Sequence, residues 1–238
     1  MLSSHSGTQL SWRLASKLGQ AVVAGRHAPG DQLPKESSLS ASESVGRSCV
    51  REAVKILASK GLVDTRPRLG TRVQPVQRWN LYDRDVQAWM AAASPRGQLL
   101  KELLQVRLMC EPHAAALAAA HRNDAHLEKL RAAYERMQSA AAGEDDPYAA
   151  DLAFHTALLE ASGNRFVAGL APLLSTALLA SFRATNAARG DAVGDLALHA
   201  AVLQAIVRGK PEAARRASLK LLADVAAVCE RMNDESRI

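Results

Sequence analysis

Asp151 and His155 stand four residues apart, and His199 follows on a later segment. On a helix, positions i and i+4 share a face, so a carboxylate and an imidazole would project together. A carboxylate with neutral imidazoles suits zinc, nickel or manganese. The same spacing also suits a surface ion pair, and the residues alone leave both readings open. The second chemistry-bearing run is Arg47-Ser48-Cys49-Val50-Arg51. If Val50 and Val54 face inward, Arg47, Ser48 and Arg51 lie together on the outer face at the start of a helix. An Arg there can donate two hydrogen bonds to guanine O6 and N7, and Ser is versatile. Arg66 and Arg68 follow in a short basic stretch that could reach phosphates or a minor groove. A solvated, salt-bridged helix is the plainer alternative for these charges.

The charge distribution favours the nucleic-acid reading. Residues 1–80 carry twelve Lys/Arg against five acids, a net +7, while residues 81–238 carry eighteen against nineteen. A basic module joined to a neutral one suggests a nucleic-acid reader attached to something else. Hydrophobic residues make up 48% of the 238, enough for a core, and charged residues 23%; a wholly disordered chain is excluded. Aromatics are only 4%, which points to helices rather than β-rich folds. No apolar run approaches the ~18 residues of a membrane span, and the polar first ten residues hold no apolar signal core. Cys49, Cys110 and Cys229 are odd in number and far apart, which argues against a disulfide framework or zinc ribbon. A cytoplasmic protein is expected.

Hydrophobic periodicity predicts helices over 8–24, 35–43 and 47–59, the last stopped by Gly61. Residues 61–66 and 71–73 read as two short strands around a turn at 67–70, a small hairpin with a basic tip. Three helices and a hairpin in about seventy residues have the layout of a winged helix-turn-helix. Residues 74–82 lack periodicity and read as a linker. Helices are then expected over 83–93, 98–121, 124–141, 146–161, 164–188, 192–208 and 211–232, with kinks at Pro112 and Pro172. The fold class is therefore mainly α. A winged domain over 1–75 is followed by a linker and first helix over 76–97, and by an all-α six- or seven-helix bundle over 98–238.

Four landmarks carry a family resemblance: Leu33-Pro34-x-Glu36, Val50-Arg51-Glu52-Ala53, Gly61-Leu62-Val63 and Gly70-Thr71. Their order and spacing resemble the DNA-binding domain of the GntR family of bacterial regulators over roughly residues 10–75. The resemblance implies DNA contacts from Arg47, Ser48, Cys49, Arg51, Arg68 and Gly70. The chain departs from the family pattern at Ser37, where an Arg is usual, at Gly46, which replaces the usual Ser/Thr cap, at Glu43, where an apolar residue is usual, and at Cys49.

Asp151-Leu152-Ala153-Phe154-His155, Ser162-Gly163-Asn164 and His199 resemble the ligand-binding domain of FadR-type members of the same family over about residues 98–230. The resemblance implies a divalent metal held by Asp151, His155 and His199. A further family histidine would fall at Leu221, which cannot ligate, so a remaining site would be weaker or more water-filled. The resemblance also implies that Arg107 points into an effector cavity, with Arg183 as a second candidate; an Arg fork suits a carboxylate. Pairing of Arg107 with Glu102 or Glu111 on its own helix is the alternative. The Trp79–Trp89 segment looks like that of D-galactonate operon repressors and related sugar-acid regulators.

The expected function is thus a dimeric, sequence-specific DNA-binding transcription regulator. It would be a repressor on an inverted-repeat operator, released by a small carboxylate such as D-galactonate bound at Arg107, Asp151, His155, Arg183 and His199. The competing readings are a helical metal-dependent enzyme acting on a sugar acid and an effector-free architectural DNA binder. No nucleophile–base constellation or phosphate loop supports the enzyme, so neither catalytic residues nor an organic cofactor are expected.

Overall fold

The computed structural model describes residues 3–66, 69–93, 96–121, 123–172, 175 and 195–235, with side chains from 9 to 226 within these, 96–100 excepted. The chain forms two compact units, Met1–Ser94 and Pro95–Ile238. Among the described residues no helix is long and apolar enough to cross a membrane.

In the first unit α1 (Ser3–Val23), α2 (Glu36–Ser42) and α3 (Arg47–Ser59) precede β1 (Val63–Arg66) and β2 (Gly70–Val73). The strands pair antiparallel with Val63 opposite Val73 and Arg66 opposite Gly70. The segment before α2 adds a short edge, through Leu33 N–H to Thr71 O and Val73 N–H to Asp31 O. This is a winged helix-turn-helix. The helix expected from residue 8 begins at Ser3, because a polar turn can extend a helix without an apolar periodicity to announce it. Leu14, Leu18 and Val22 of α1 bury against Val50, Val54 and Leu57 of α3, the inward face that the spacing predicted. At Gly61 φ is +75°, and a Cβ would run into the Arg78 carbonyl oxygen. Only glycine tolerates both conditions.

A single 3-10 turn (Val76–Arg78) interrupts the expected linker, and α4 (Arg84–Ala93) follows. The Trp89 ring lies over Gly19 of α1, where a Cβ would occupy the ring's place, and its indole N–H donates to Ser16 Oγ at 3.1 Å. Trp79 packs against the same core and donates to Gln74 O at 2.9 Å. Trp89 is thus part of the core of the first unit, and Trp79 packs against it.

The second unit is all-α: α5 (Arg96–His121), α6 (Asp124–Ala141), α7 (Pro147–Ala161), α8 (Arg165–Ala168), α9 (Leu196–Val207) and α10 (Pro211–Glu235). Helix α5 packs along α10 and α7, α6 on α7, and α9 on α10. The core joins Leu130 and Met137 of α6, Phe154 and Leu158 of α7, Ile206 of α9 and Leu221 of α10. Pro112 lies inside α5. The single helix expected over 164–188 instead stops after Ala168, with a turn at Gly169 and Leu170 before helix resumes at 171. Asn164 caps α8 through Phe166 and Val167 N–H. Most of the remainder of that expected helix lies outside the described residues.

In the first unit the end of α3 is tied to the start of α4 by an ion cluster. Lys60 Nζ donates to both Asp83 oxygens at 2.8 Å and to Asp85 Oδ2 at 2.6 Å. The ammonium also stands 5.8 Å from the centre of the Trp89 ring. Burial pushes the Lys60 pKa down, but the two carboxylates outweigh it and raise it overall. For Asp83, burial pushes upward and is outweighed by the bonds from Lys60 and the Val86 N–H. Replacing Lys60 by Ala leaves two half-buried carboxylates side by side without their cation. It should destabilise the first unit by about 1.5–3 kcal/mol, read from the midpoint of urea unfolding followed by tryptophan fluorescence. An unchanged midpoint would show the cluster to be energetically silent.

Candidate functional site

The first candidate surface is the face of α3. Arg47, Ser48 and Arg51 are exposed, Cys49 is half-buried, and Val50, Ala53, Val54 and Leu57 are buried. The polar side chains therefore project from the first turns of the helix, as a recognition helix requires. Gly46 occupies the N-cap position and offers no side-chain cap, so the first N–H groups of α3 have no capping side chain. Arg51 Nε donates to Glu36 Oε2 of α2 at 2.9 Å, an exposed pair between α2 and α3. Glu43, in a place where the family prefers an apolar residue, is held by Lys17 Nζ at 2.8 Å from both carboxylate oxygens.

On the wing, Arg66 and Arg72 are exposed, and Gly70 opens β2 with φ +78°. Arg66 Nε pairs with Asp64 at 2.8 Å. Arg68 lies outside the described residues, as does Arg183.

The second candidate site is a buried polar cluster in the other unit. Asp151, His155 and His199 are all buried, and one ligand atom from each falls within 4.8 Å of the others. Local sequence builds it. Asp146 caps α7 by accepting from Tyr148 and Ala149 N–H, with Pro147 in the first turn, a position whose missing N–H costs nothing. That sets Asp151 and His155 on one buried stripe. Asp195 does the same for α9, its carboxylate accepting from Ala197 and Leu198 N–H. Its backbone carbonyl takes the His199 Nδ1 contact at 2.8 Å. Phe154 backs both imidazoles, edge-on at 5.0 Å from His199 and 5.8 Å from His155 between ring centres.

Hydrogen-bond partners assign the tautomers. His199 Nδ1 faces a carbonyl, so it carries the proton and Nε2 is a lone pair. His155 Nδ1 lies 2.8 Å from Glu111 Oε2, so it too is the donor and its Nε2 is a lone pair. The two Nε2 atoms stand 3.4 Å apart, and Asp151 Oδ1 is 3.3 Å from His199 Nε2 and 3.7 Å from His155 Nε2. When both imidazoles are neutral in these tautomers, three acceptor atoms converge. Their spacings bracket the edge of about 3.4 Å for a tetrahedron with bonds of about 2.1 Å. The donor set fits a divalent cation. Leu221, at the place of the further family histidine, is buried in the apolar core and supplies nothing.

Arg107 is in this cluster but not as an open fork. Its side chain is 2% exposed. Nε donates to Glu111 Oε1 at 2.6 Å, and Nη2 lies 3.1 Å from His155 Nε2. The pairing with Glu111 on its own helix is therefore the one realised. For Glu111, burial alone would raise the carboxyl; Arg107 and then His155 outweigh it and bring it from 4.5 to about 2. For Asp151, burial is outweighed by His155, His199 and Arg107, which hold it below the ordinary carboxylate value. Glu111 is the cluster member that sequence reading considered only as an alternative partner for Arg107. Its contact with His155 spans 44 positions, and no local pattern signals it. On α10, Ser218 is buried with its Oγ unpartnered among the described residues, one turn ahead of Leu221.

Comparison with known proteins gives these units a context. Residues 10–73 match the family described as bacterial regulatory proteins, gntR family, and residues 102–224 match the FCD domain. YieP, an uncharacterised HTH-type transcriptional regulator of Escherichia coli K12, is 35% identical over 216 residues, covering 90% of this chain and 92% of that one. The galactonate operon transcriptional repressor of the same organism is 28% identical over 214 residues, covering 89% and 93%. Among solved structures, Lar of Listeria monocytogenes aligns with a TM-score of 0.63 at 18% identity, over 93% of this chain and 96% of that chain, a likeness of fold.

Two measurements test these sites. Arg47→Ala and Arg51→Ala should each weaken binding to the duplex upstream of the chain's own gene by about 1–3 kcal/mol at fixed salt. A double variant that shifts this DNA at wild-type concentrations would remove α3 as the reading helix. The second measurement is pH-dependent unfolding without metal. Glu111 is depressed in the folded state, so its contribution, on the order of 3 kcal/mol, is complete above about pH 4.5 and is lost as pH falls toward 2. Stability should fall more steeply across that window in the wild type than in Glu111→Gln; equal slopes would contradict the assignment.

Proposed function

Because the chain belongs to the gntR family of bacterial regulatory proteins and carries an FCD domain, it is a DNA-binding transcription regulator and not an enzyme; we propose that it is a repressor released from its operator by a small hydroxy-carboxylate, a sugar acid of the aldonate class such as D-galactonate. The observation that carries the effector site is the convergence of Asp151, His155 and His199 beside Arg107 in the buried heart of the helical unit. Such a concentration of polar groups in an apolar core destabilises unless something satisfies it, which disfavours an effector-free architectural protein. A divalent cation such as zinc, nickel or manganese would be held by these three residues and would supply a Lewis-acidic centre for oxygen ligands. Three protein ligands leave positions for effector oxygens.

The residues divide the work by chemistry. Asp151 and the two imidazoles hold the hydroxylated end of the effector, directly or through the cation. The Nε edge of Arg107 is taken by Glu111, so the guanidinium can meet the effector carboxylate only through its Nη groups, with Arg183 as a second cationic candidate. On the DNA side, Arg47, Ser48 and Arg51 read base edges, with Cys49 beside them. Arg68 and Gly70 of the wing meet the backbone. A homodimer on an inverted repeat matches two-fold protein to two-fold site. Release follows if the effector binds the non-operator conformation more tightly than the operator-bound one. The 28% identity to a galactonate operon repressor supports the sugar-acid class.

Titration with D-galactonate and a panel of aldonates should raise the melting temperature and free operator DNA over the same concentration range. Acyl-CoA or amino acids acting where millimolar aldonates do nothing would overturn the sugar-acid effector and leave the regulator.

A further inference from the structure

Glu111 is fully buried and bridges two cationic or donor groups with its two oxygens. Oε1 accepts from Arg107 Nε at 2.6 Å, and Oε2 accepts from His155 Nδ1 at 2.8 Å. Each contact has a consequence at Asp151 and His199, which Glu111 does not touch in any bond described. Holding the proton on Nδ1 forces the His155 lone pair onto Nε2, the atom that faces His199 Nε2 at 3.4 Å. Cancelling the guanidinium matters because Arg107 Nη2 lies 3.1 Å from that same lone pair. An uncompensated guanidinium there would compete for the lone pair and repel a cation. With both imidazoles neutral, Arg107 and Glu111 cancel, and the cluster keeps the single negative charge of Asp151.

We propose that Glu111 is the positioning residue of this centre, fixing the His155 ring with Nε2 toward Asp151 and His199 and neutralising Arg107 so that a divalent cation can bind beside a guanidinium. This rests on the reading of the cluster as a metal site. It also gives Arg107 a sign: the guanidinium opposes the cation, and Glu111 sets how strongly. Carboxylates that hold a ligating histidine in this way commonly contribute 10–100-fold in metal affinity.

The test is zinc affinity of the full chain, measured by competition with a chromogenic chelator at neutral pH, together with long-range 1H–15N histidine spectra of the zinc-free protein. Glu111→Gln, which keeps the shape but loses the charge, should bind zinc about 10–100-fold more weakly. Arg107→Gln should bind it more tightly than wild type, and the double variant should recover most of the loss, because it restores the net charge. A merely structural role would weaken both single variants and leave the double no better than either; that result overturns the proposal. The wild-type spectra should show the His155 proton on Nδ1. A proton on Nε2 overturns the positioning role even if Glu111→Gln fails to fold. Wild-type protein that takes up no zinc overturns the metal reading and this inference with it, whereas zinc binding that is equal in wild type and Glu111→Gln overturns only the role of Glu111.

Discussion

The helical unit is organised around a charge that it must bury. Asp151 and Glu111 are both inside, and among the described residues one fixed cation, Arg107, lies with them. A lone carboxylate in an apolar core is strongly disfavoured. Here one carboxylate is paired with the guanidinium and the other faces the two imidazoles. The remaining atoms are arranged to make that tolerable. Asp195 meets His199 from its own helix start, Glu111 meets His155 from α5, and Phe154 packs edge-on against both rings. What is left is a buried triangle of ligand atoms from Asp151, His155 and His199.

The first unit solves a different problem with simpler means. Its third helix presents Arg47, Ser48 and Arg51 outward, while its inner stripe of Val50, Ala53, Val54 and Leu57 is wholly apolar and its end is fastened. The fastening is Lys60, whose ammonium draws Asp83 and Asp85 to the end of α3, while Gly61 lets the chain turn tightly past Arg78. The indole of Trp89 fills the space left by Gly19. The start of the segment leading away from the DNA-reading module is therefore part of that module's own core. Lys60 ties the start of α4 to the C-terminal end of α3.

The features legible in the sequence are those with local causes. Val50, Val54 and Leu57 fall on one side of a helix because of their spacing, and the structure buries them. Asp151 and His155 share a face because 3.6 residues make a turn. The hairpin and the stop at Gly61 follow from backbone preferences of individual residues. The break after Ala168 was obscured because the helical pattern carries on past Gly169 into residues 171 and 172, and periodicity does not register a two-residue interruption.

What tertiary structure alone decided is which polar groups meet. The bond from Glu111 to His155 joins α5 to α7, and the contact of His155 with His199 joins α7 to α9; neither has a spacing to read. Lys17 with Glu43, and Lys60 with Asp83 and Asp85, likewise turn apparent surface charges or departures from a pattern into paired groups. Sequence fixes the face on which a side chain stands, because that depends on neighbours three and four positions away. Whether an Arg is an open fork or a neutralised one depends on a carboxylate and an imidazole brought to it by packing, and that is settled only when the helices close on one another.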